Sequence, residues 1–475
     1  MSRGLDKQDK FCVTIFVFGA LLVMLNQTSL SSALPIIMEQ MQVSASTAQW
    51  LTSGYSLVEA IIIPLNAYLL GRFRSSRLFI VSMILFLVSS LLCAVSSSFM
   101  PLICGRIGQA VATGIIMPLS VTSVFLIFPR ESRGLAMGLI GLVVGFAPTA
   151  GPVIASGIVD SLGWQSLFII SAVIAVLIIL VAIKGLTSLS GFKRISFDAI
   201  SVVLMSIGMF TLLYGMSSIS SADSLLLSLG LIILGVVLIV IYVRRQFHLE
   251  TPILQMRTFL VFEFRTTAIF LILMQAILIG MGVIFPLFVQ NALGQSTSMS
   301  GLLMMPGVII GACLGLIAGK LYDRYGVRGI ALIGSAVLVI GAISYFFLSM
   351  DSTLLTVGLA YGLVSIGAQM LITPVNTWGM NAVHVEDVAD GNAILSMVEQ
   401  VGAAFGTAFL VSLSSLATTT GNETNLAVQT FIGSQYAFVG LLALAIISAL
   451  IVVIFIRDSG RKKVQSEASN QEAKV

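Results

Sequence analysis

Read for hydropathy alone, the chain is a series of apolar runs of about 20 residues, the length that carries a helix across a bilayer, joined by short polar connections. Fourteen such runs fall near 12–33, 48–70, 78–97, 100–124, 136–158, 166–185, 197–217, 224–243, 265–290, 300–319, 328–349, 352–376, 393–415 and 436–456. None alternates apolar and polar residues over about ten positions, as the strands of a membrane barrel would, so each run predicts a helix. The second, from Trp50 to Leu70 (WLTSGYSLVEAIIIPLNAYLL), is unusual because Glu59 stands near its middle with no basic residue within a turn. An unpaired carboxylate in hydrocarbon is expensive, and the cost falls on its ionised form. Such a residue predicts a protein-lined cavity and a proton acceptor that meets water from one side at a time.

Composition supports the spans. Of 475 residues, 57% are hydrophobic and 9% charged, where a soluble domain has about 25% charged. The basic residues then set the orientation. With the N-terminus in the cytoplasm, all of the 24 Lys and Arg except Arg106 fall in cytoplasmic segments or at cytoplasmic helix ends, and the outer loops carry only the acids Glu39, Asp160, Asp223, Asp351 and Glu423. Adding or removing one span would put half of these loops on the wrong side, so the charge pattern checks the helix count too. The net charge of +4 sits in short loops and not on a soluble basic face, which excludes a nucleic-acid partner. Cys12, Cys93, Cys104 and Cys313 lie in or beside spans without metal-ligand spacing, so neither a metal site, a cofactor nor a disulfide framework is expected. The run after MSRGLDKQDK is too long for a signal-peptide core and is expected to be a retained helix. The tail from Arg457 to Val475 is charged and expected to be disordered. No phosphate-cradling loop occurs, so ATP is not the expected energy source.

Two connections resemble one another: Asn66 to Arg77 (NAYLLGRFRSSR) after span two, and Gly319 to Arg328 (GKLYDRYGVR) after span ten. The second is similar to the G-x-L-x-D-R-x-G-x-R loop signature of the major facilitator superfamily, found there after the second helix of each six-helix half. Copies after spans two and ten imply that spans seven and eight are inserted between the halves. That layout resembles the fourteen-helix drug/proton antiporter branch, which exports quaternary ammonium compounds and lincosamides. Three further stretches are similar to marks of that branch: Gly141 to Gly157 (GLVVGFAPTAGPVIASG), Gly163 to Phe168 (GWQSLF) and Pro252 to Phe259 (PILQMRTF). The first copy departs from the signature at Leu70, where an acid is usual, and span one has Asn26 where relatives often have Asp.

The resemblance implies an all-α polytopic membrane protein of the major facilitator fold, with 14 transmembrane helices and both termini cytoplasmic. Residues 1–11 form a cytoplasmic N-terminus, 12–185 the first six-helix bundle, 186–245 the two inserted helices, 246–264 an interfacial linker, 265–456 the second bundle and 457–475 a cytoplasmic tail. Pro252, Ile253, Leu254, Met256 and Phe259 suggest that the linker lies along the membrane surface. The outer loop from Thr418 to Gln429 is polar and expected to be mobile.

The residues that could carry function each have a plainer reading. Glu59 is the expected proton carrier, and the plain reading is a protonated carboxyl acting as glue between helices. Glu399, in the SMVEQVGAAFGT run from Ser396 to Thr407, supplies a second acid from the other half, unless its side chain merely snorkels to water. Arg106, within Gly105 to Gln109 (GRIGQ), resembles the family's fourth-helix R-x-x-Q motif implicated in proton coupling. Always charged, it needs an acid, a carbonyl or water, and a permanent lock between helices is the alternative. Gly145, Pro148, Gly151 and Pro152 are expected to pack closely and to help gate the outer side. Asp323, Arg324 and Arg328 read as a cytoplasmic latch. Asn26, Gln27, Tyr55, Asn66, Gln275, Gln369, Asn376 and Trp378 are candidate substrate-cavity groups, with ordinary interhelical hydrogen bonding as the alternative.

Together these expectations describe a monomeric bacterial plasma-membrane protein, not an enzyme, that exports amphipathic, cationic or lipophilic drugs driven by protons. The alternatives are a proton-coupled importer or facilitator of a metabolite, and a non-transporting receptor or lipid-handling protein.

Overall fold

The computed structural model describes residues 7–30, 33–129, 132–186, 198–218, 225–249, 252–420 and 426–457. The helices follow the apolar runs. The first half contains α1 (Lys7–Ser29), a short outer helix α2 (Leu34–Met41), α3 (Ala45–Ile62), α4 (Leu65–Arg72), α5 (Ser75–Ala94), α6 (Phe99–Ile127), α7 (Arg133–Leu162) and α8 (Gln165–Gly185). An inserted pair follows, α9 (Ala199–Ser218) and α10 (Leu225–His248). The second half contains α11 (Phe262–Leu287), α12 (Thr297–Tyr325), α13 (Arg328–Ser344), α14 (Leu354–Asn381), α15 (Val388–Thr420) and α16 (Leu426–Phe455). Each of the fourteen expected spans is helical, and no strand occurs among the described residues. Twelve helices among the described residues are long and apolar enough to cross a membrane; the other two expected spans are the α3–α4 pair and α7, apolar over Arg133–Val143.

Span two departs from expectation in being broken at Ile63 and Pro64. Proline has no N–H and its ring crowds the preceding turn, an effect hidden from a hydropathy count because Ile61, Ile62, Ile63 and Leu65 are all apolar. Polar caps mark outer helix starts: Ser44 accepts from the Thr47 N–H at 3.2 Å and Ser296 from the Met299 N–H at 3.2 Å. At the other end of α12, Gly326 adopts φ +87°, a conformation that fits glycine, and so turns the chain within the loop signature.

The inserted pair packs on itself and lays α9 against both α3 and α15. Arg245 grips Asp198 with two bonds, Nε to Oδ2 at 2.9 Å and a second from its terminal nitrogen to Oδ1 at 3.2 Å. The linker corrects a second expectation. Ile253, Leu254 and Met256 are buried, and they join Met205, Met209, Phe264 and Met397 in one apolar cluster. Gln246 holds the linker there, its amide oxygen accepting from the Ile253 N–H at 2.8 Å. Internal burial outweighs the membrane surface because this cluster lies where the two halves, the insert and the linker converge. The outer loop likewise shortens: α15 reaches Thr420 and α16 begins at Leu426, with 421–425 outside the described residues.

Candidate functional site

Tyr55 and Glu59 lie four residues apart on one face of α3. Glu59 is 4% exposed, and its Oε2 accepts from Gln27 Nε2 of α1 at 2.7 Å. Arg106 of α6 is buried close by. Its Nη1 donates to Asn26 Oδ1 at 3.0 Å and to Gln109 Oε1 at 2.9 Å, its Nε to the Leu51 carbonyl at 3.2 Å and its Nη2 to the Gln27 carbonyl at 3.4 Å. The guanidinium also lies 4.2 Å from the centroid of the Tyr55 ring, a cation–π contact. None of these acceptors is a carboxylate. A permanent cation is therefore solvated by neutral dipoles, and Gln27 bonds both it and the acid.

The network continues outward. Asn26 Nδ2 donates to Ser171 Oγ of α8 at 3.1 Å, Gln109 Nε2 to Ser90 Oγ of α5 at 2.8 Å, and the Tyr55 and Thr113 hydroxyls meet. Polar groups buried and bonded in this way rigidify a core. Asn66 on α4 donates to the Ile115 carbonyl at 2.6 Å, while its Oδ1 has no partner among the described residues.

The second half supplies Glu399 on α15, half-buried. It shares a helix face with Gly402 and Gly406, whose Cα positions pack closely on Ile272 and Ala276 of α11. Its neighbours Met397 and Val398 face the same apolar cluster as Leu57 and Ala60, the neighbours of Glu59. The helices that carry the two acids thus border one apolar cluster. Of the expected cavity groups, Gln27, Gln275 and Asn376 are half-buried, while Asn26, Tyr55, Asn66, Gln369 and Trp378 are buried in packing.

At the basic face, cytoplasmic by the loop charges, the halves are shut together. The first N–H groups of any helix lack intrahelical partners and attract negative charge. At the start of α7 these groups are met by Asp323 of α12: the Gly134 N–H donates to Oδ1 and the Leu135 N–H to Oδ2, each at 2.9 Å. A Cβ on Gly134 would stand 2.2 Å from the Gly319 carbonyl oxygen, so glycine at both positions permits the approach. Arg133 Nη1 donates to Asn381 Oδ1 at 3.1 Å, and Asn392 Nδ2 to the Pro118 carbonyl at 3.0 Å. Arg324 and Arg328 are exposed, with the Arg324 guanidinium 5.2 Å from the Tyr325 ring centroid. In the first half, Leu70 packs in an apolar cluster with Ala389, and Asp390 stands in the first turn of α15.

Sequence reading missed Arg133, Asn381, Asn392 and Asp390. Polar residues at span ends look like ordinary interface, and only the tertiary fold pairs them. Of the outer gate candidates, the helix backbone runs through Gly145, Pro148 and Pro152, but their side-chain surroundings lie outside the described residues. At Gly151 a Cβ would stand 2.2 Å from Thr28 Oγ1. Further out on α7, a Cβ on Gly157 would meet nothing within 4 Å and Ile154 is exposed.

Two bundled halves that meet across a seam, shut at one face and holding a buried acid–arginine network, define a polytopic membrane transporter. The chain belongs to the Major Facilitator Superfamily, whose family model matches residues 16–407. It is 34% identical over 467 residues to the uncharacterized MFS-type transporter YcnB of Bacillus subtilis (strain 168), covering 97% of each chain. It is 31% identical over 443 residues to the lincomycin resistance protein LmrB of the same organism, covering 90% of this chain and 91% of that one. Among solved structures, the human organic anion transporter MFSD10 (TETRAN) superposes with a TM-score of 0.66 at 14% identity, covering 94% of this chain and 99% of that one. That likeness is one of fold. The family and these relatives are transporters, not enzymes.

Proposed function

We propose that the protein exports amphipathic, lipophilic or cationic drugs in exchange for protons, by alternating access across a bacterial plasma membrane. The observation that carries this reading is Glu59, a carboxyl buried in a membrane-spanning helix, one residue removed from the buried Arg106. Intramembrane acids are rare and mark ion and proton paths. The similarity to a lincomycin resistance protein favours a drug as cargo.

In this cycle the bundles 12–185 and 265–456 rock against one another. With the outer side open, Glu59 and Glu399 release drug and take protons; with the inner side open, they give protons to the cytoplasm and accept drug. Arg106 feels the change of charge at Glu59. Asp323, with Arg324 and Arg328 beside it, latches the inner face, and the Gly145 to Pro152 stretch of α7 closes the outer one. The proton gradient supplies about 2.3 kcal/mol per charge per 100 mV plus the pH contribution.

The test is accumulation of a fluorescent lipophilic cation in inverted vesicles with and without a pH gradient. Accumulation should require the gradient, and Glu59→Gln should abolish it while the folded protein remains in the membrane. Unchanged transport by that variant refutes the reading.

A further inference from the structure

Four consecutive residues at the outer end of α1 touch the other elements around the acid. Asn26 bonds Arg106 and Ser171. Gln27 bonds Glu59 through its amide and Arg106 through its carbonyl. Thr28 donates to the Ala147 carbonyl of α7 at 3.1 Å, and Ser29 to the Gly151 carbonyl at 3.4 Å. One turn of α1 therefore joins the acid on α3, the arginine on α6 and the glycine-rich helix α7.

These groups differ in how they respond to a proton. Arg106 is charged throughout, and the Thr28 and Ser29 hydroxyls stay neutral. Glu59 changes charge, and its hydrogen-bond partner is Gln27. As a carboxylate it only accepts, which the Gln27 amide N–H satisfies. As a carboxylic acid it presents an O–H that needs an acceptor. Gln27 offers one only by turning its amide so that Oε1 faces α3. The turn replaces a charge-assisted hydrogen bond with a neutral one of about half the strength. The backbone of the same residue holds Arg106 and the next residue holds α7, so strain at the Gln27 side chain is delivered to both.

We propose that Gln27 is a positioning residue that converts protonation of Glu59 into movement of α1 against α6 and α7. The proton adds to the Glu59 carboxylate from outer water and leaves from the same carboxyl to the cytoplasm. Gln27 stays neutral and transfers nothing. Among the described residues, the charged and titratable groups around Glu59 are few. Arg106 of α6 shares Gln27 with it, and Tyr55, four residues back on its own helix, lies under the Arg106 guanidinium. Glu39 of α2 is exposed, Tyr68 of α4 lies beyond the break at Pro64, and α9 presents the methionines Met205 and Met209. The inference rests on the reading of Glu59 as the proton carrier.

The test compares two modes in proteoliposomes with ethidium as the probe: accumulation driven by a pH gradient, and exchange of preloaded ethidium at equal pH on both sides. For Gln27→Leu, the variant's own exchange rate at equal pH is the reference for its gradient-driven mode. Gradient-driven accumulation should fall about tenfold, the equivalent of one lost hydrogen bond to a charged group, and lose its dependence on outer pH. Gln27→Met, flexible and similar in length, serves as the second variant should the leucine protein not fold. Accumulation that keeps the wild-type pH dependence overturns the proposal. Loss of both modes in both variants, or a raised KM for exchange, also overturns it, because Gln27 would then be a structural or substrate contact. Glu59→Gln separates the two readings: gradient-driven accumulation that survives in this variant removes the proton carrier itself. Its loss there beside unaffected Gln27 variants removes only the role of Gln27.

Discussion

Replacing Asp323 with asparagine probes the inner latch at a single atom. The carboxylate accepts two backbone N–H groups at the start of α7, each at 2.9 Å. Hydrogen bonds to a charged group contribute about 1.5–3 kcal/mol each, and a helix N-terminus adds about 0.3–1 kcal/mol for a negative neighbour. Asparagine keeps one acceptor oxygen, turns an NH2 toward the other N–H, and removes the charge. Asp323 is half-buried, so the lower end of the range applies and the closed inner face should lose about 2 kcal/mol, roughly a 30-fold change in the closed-to-open ratio. Spin labels at the exposed ends Arg72 and Lys320, in a cysteine-free background, would read the opening as a longer inter-label distance in the variant. Gradient-driven export should fall as well, because an inner face that stays open short-circuits the cycle. A distance distribution and transport rate indistinguishable from wild type would refute the latch, whatever its geometry.

Two further outcomes follow from the packing. The Asp198 carboxyl is held down to about 2, chiefly by the hydrogen bonds from Arg245. A depressed acid stabilises the fold above the ordinary carboxylate range of ~4 and loses that contribution as pH falls toward 2. Asp198→Asn should therefore lower Tm at pH 7, and the gap to wild type should narrow on acidification; a gap independent of pH would mean that the ion pair is not its source. At Gly151, alanine would place Cβ 2.2 Å from Thr28 Oγ1, and overpacking of this kind costs about 1–3 kcal/mol. Thermal unfolding of Gly151→Ala should show that loss, and Thr28→Ala in the same chain should recover part of it; strictly additive effects would argue that the two helices do not meet there.

The sequence by itself determined the number and order of the apolar spans, because a bilayer admits only segments that satisfy their own backbone hydrogen bonds, and the loop charges give the expected sidedness. It also singled out Glu59 and Arg106, since a charge within an apolar run stands out without any neighbour in view, and it marked Asp323 through the loop signature. Only the tertiary structure decided what those residues touch. Of the acid, carbonyl or water that could serve Arg106, it supplied neutral carbonyl and amide oxygens; it made Gln27 the bridge to Glu59 and set Asp323 as a cap on the first turn of α7. It also drew Ile253 and Leu254 from the membrane surface into the seam between the halves. Hydropathy counts one residue at a time, whereas a hydrogen bond depends on a partner that lies, for Asp323 and Gly134, 189 positions away along the chain.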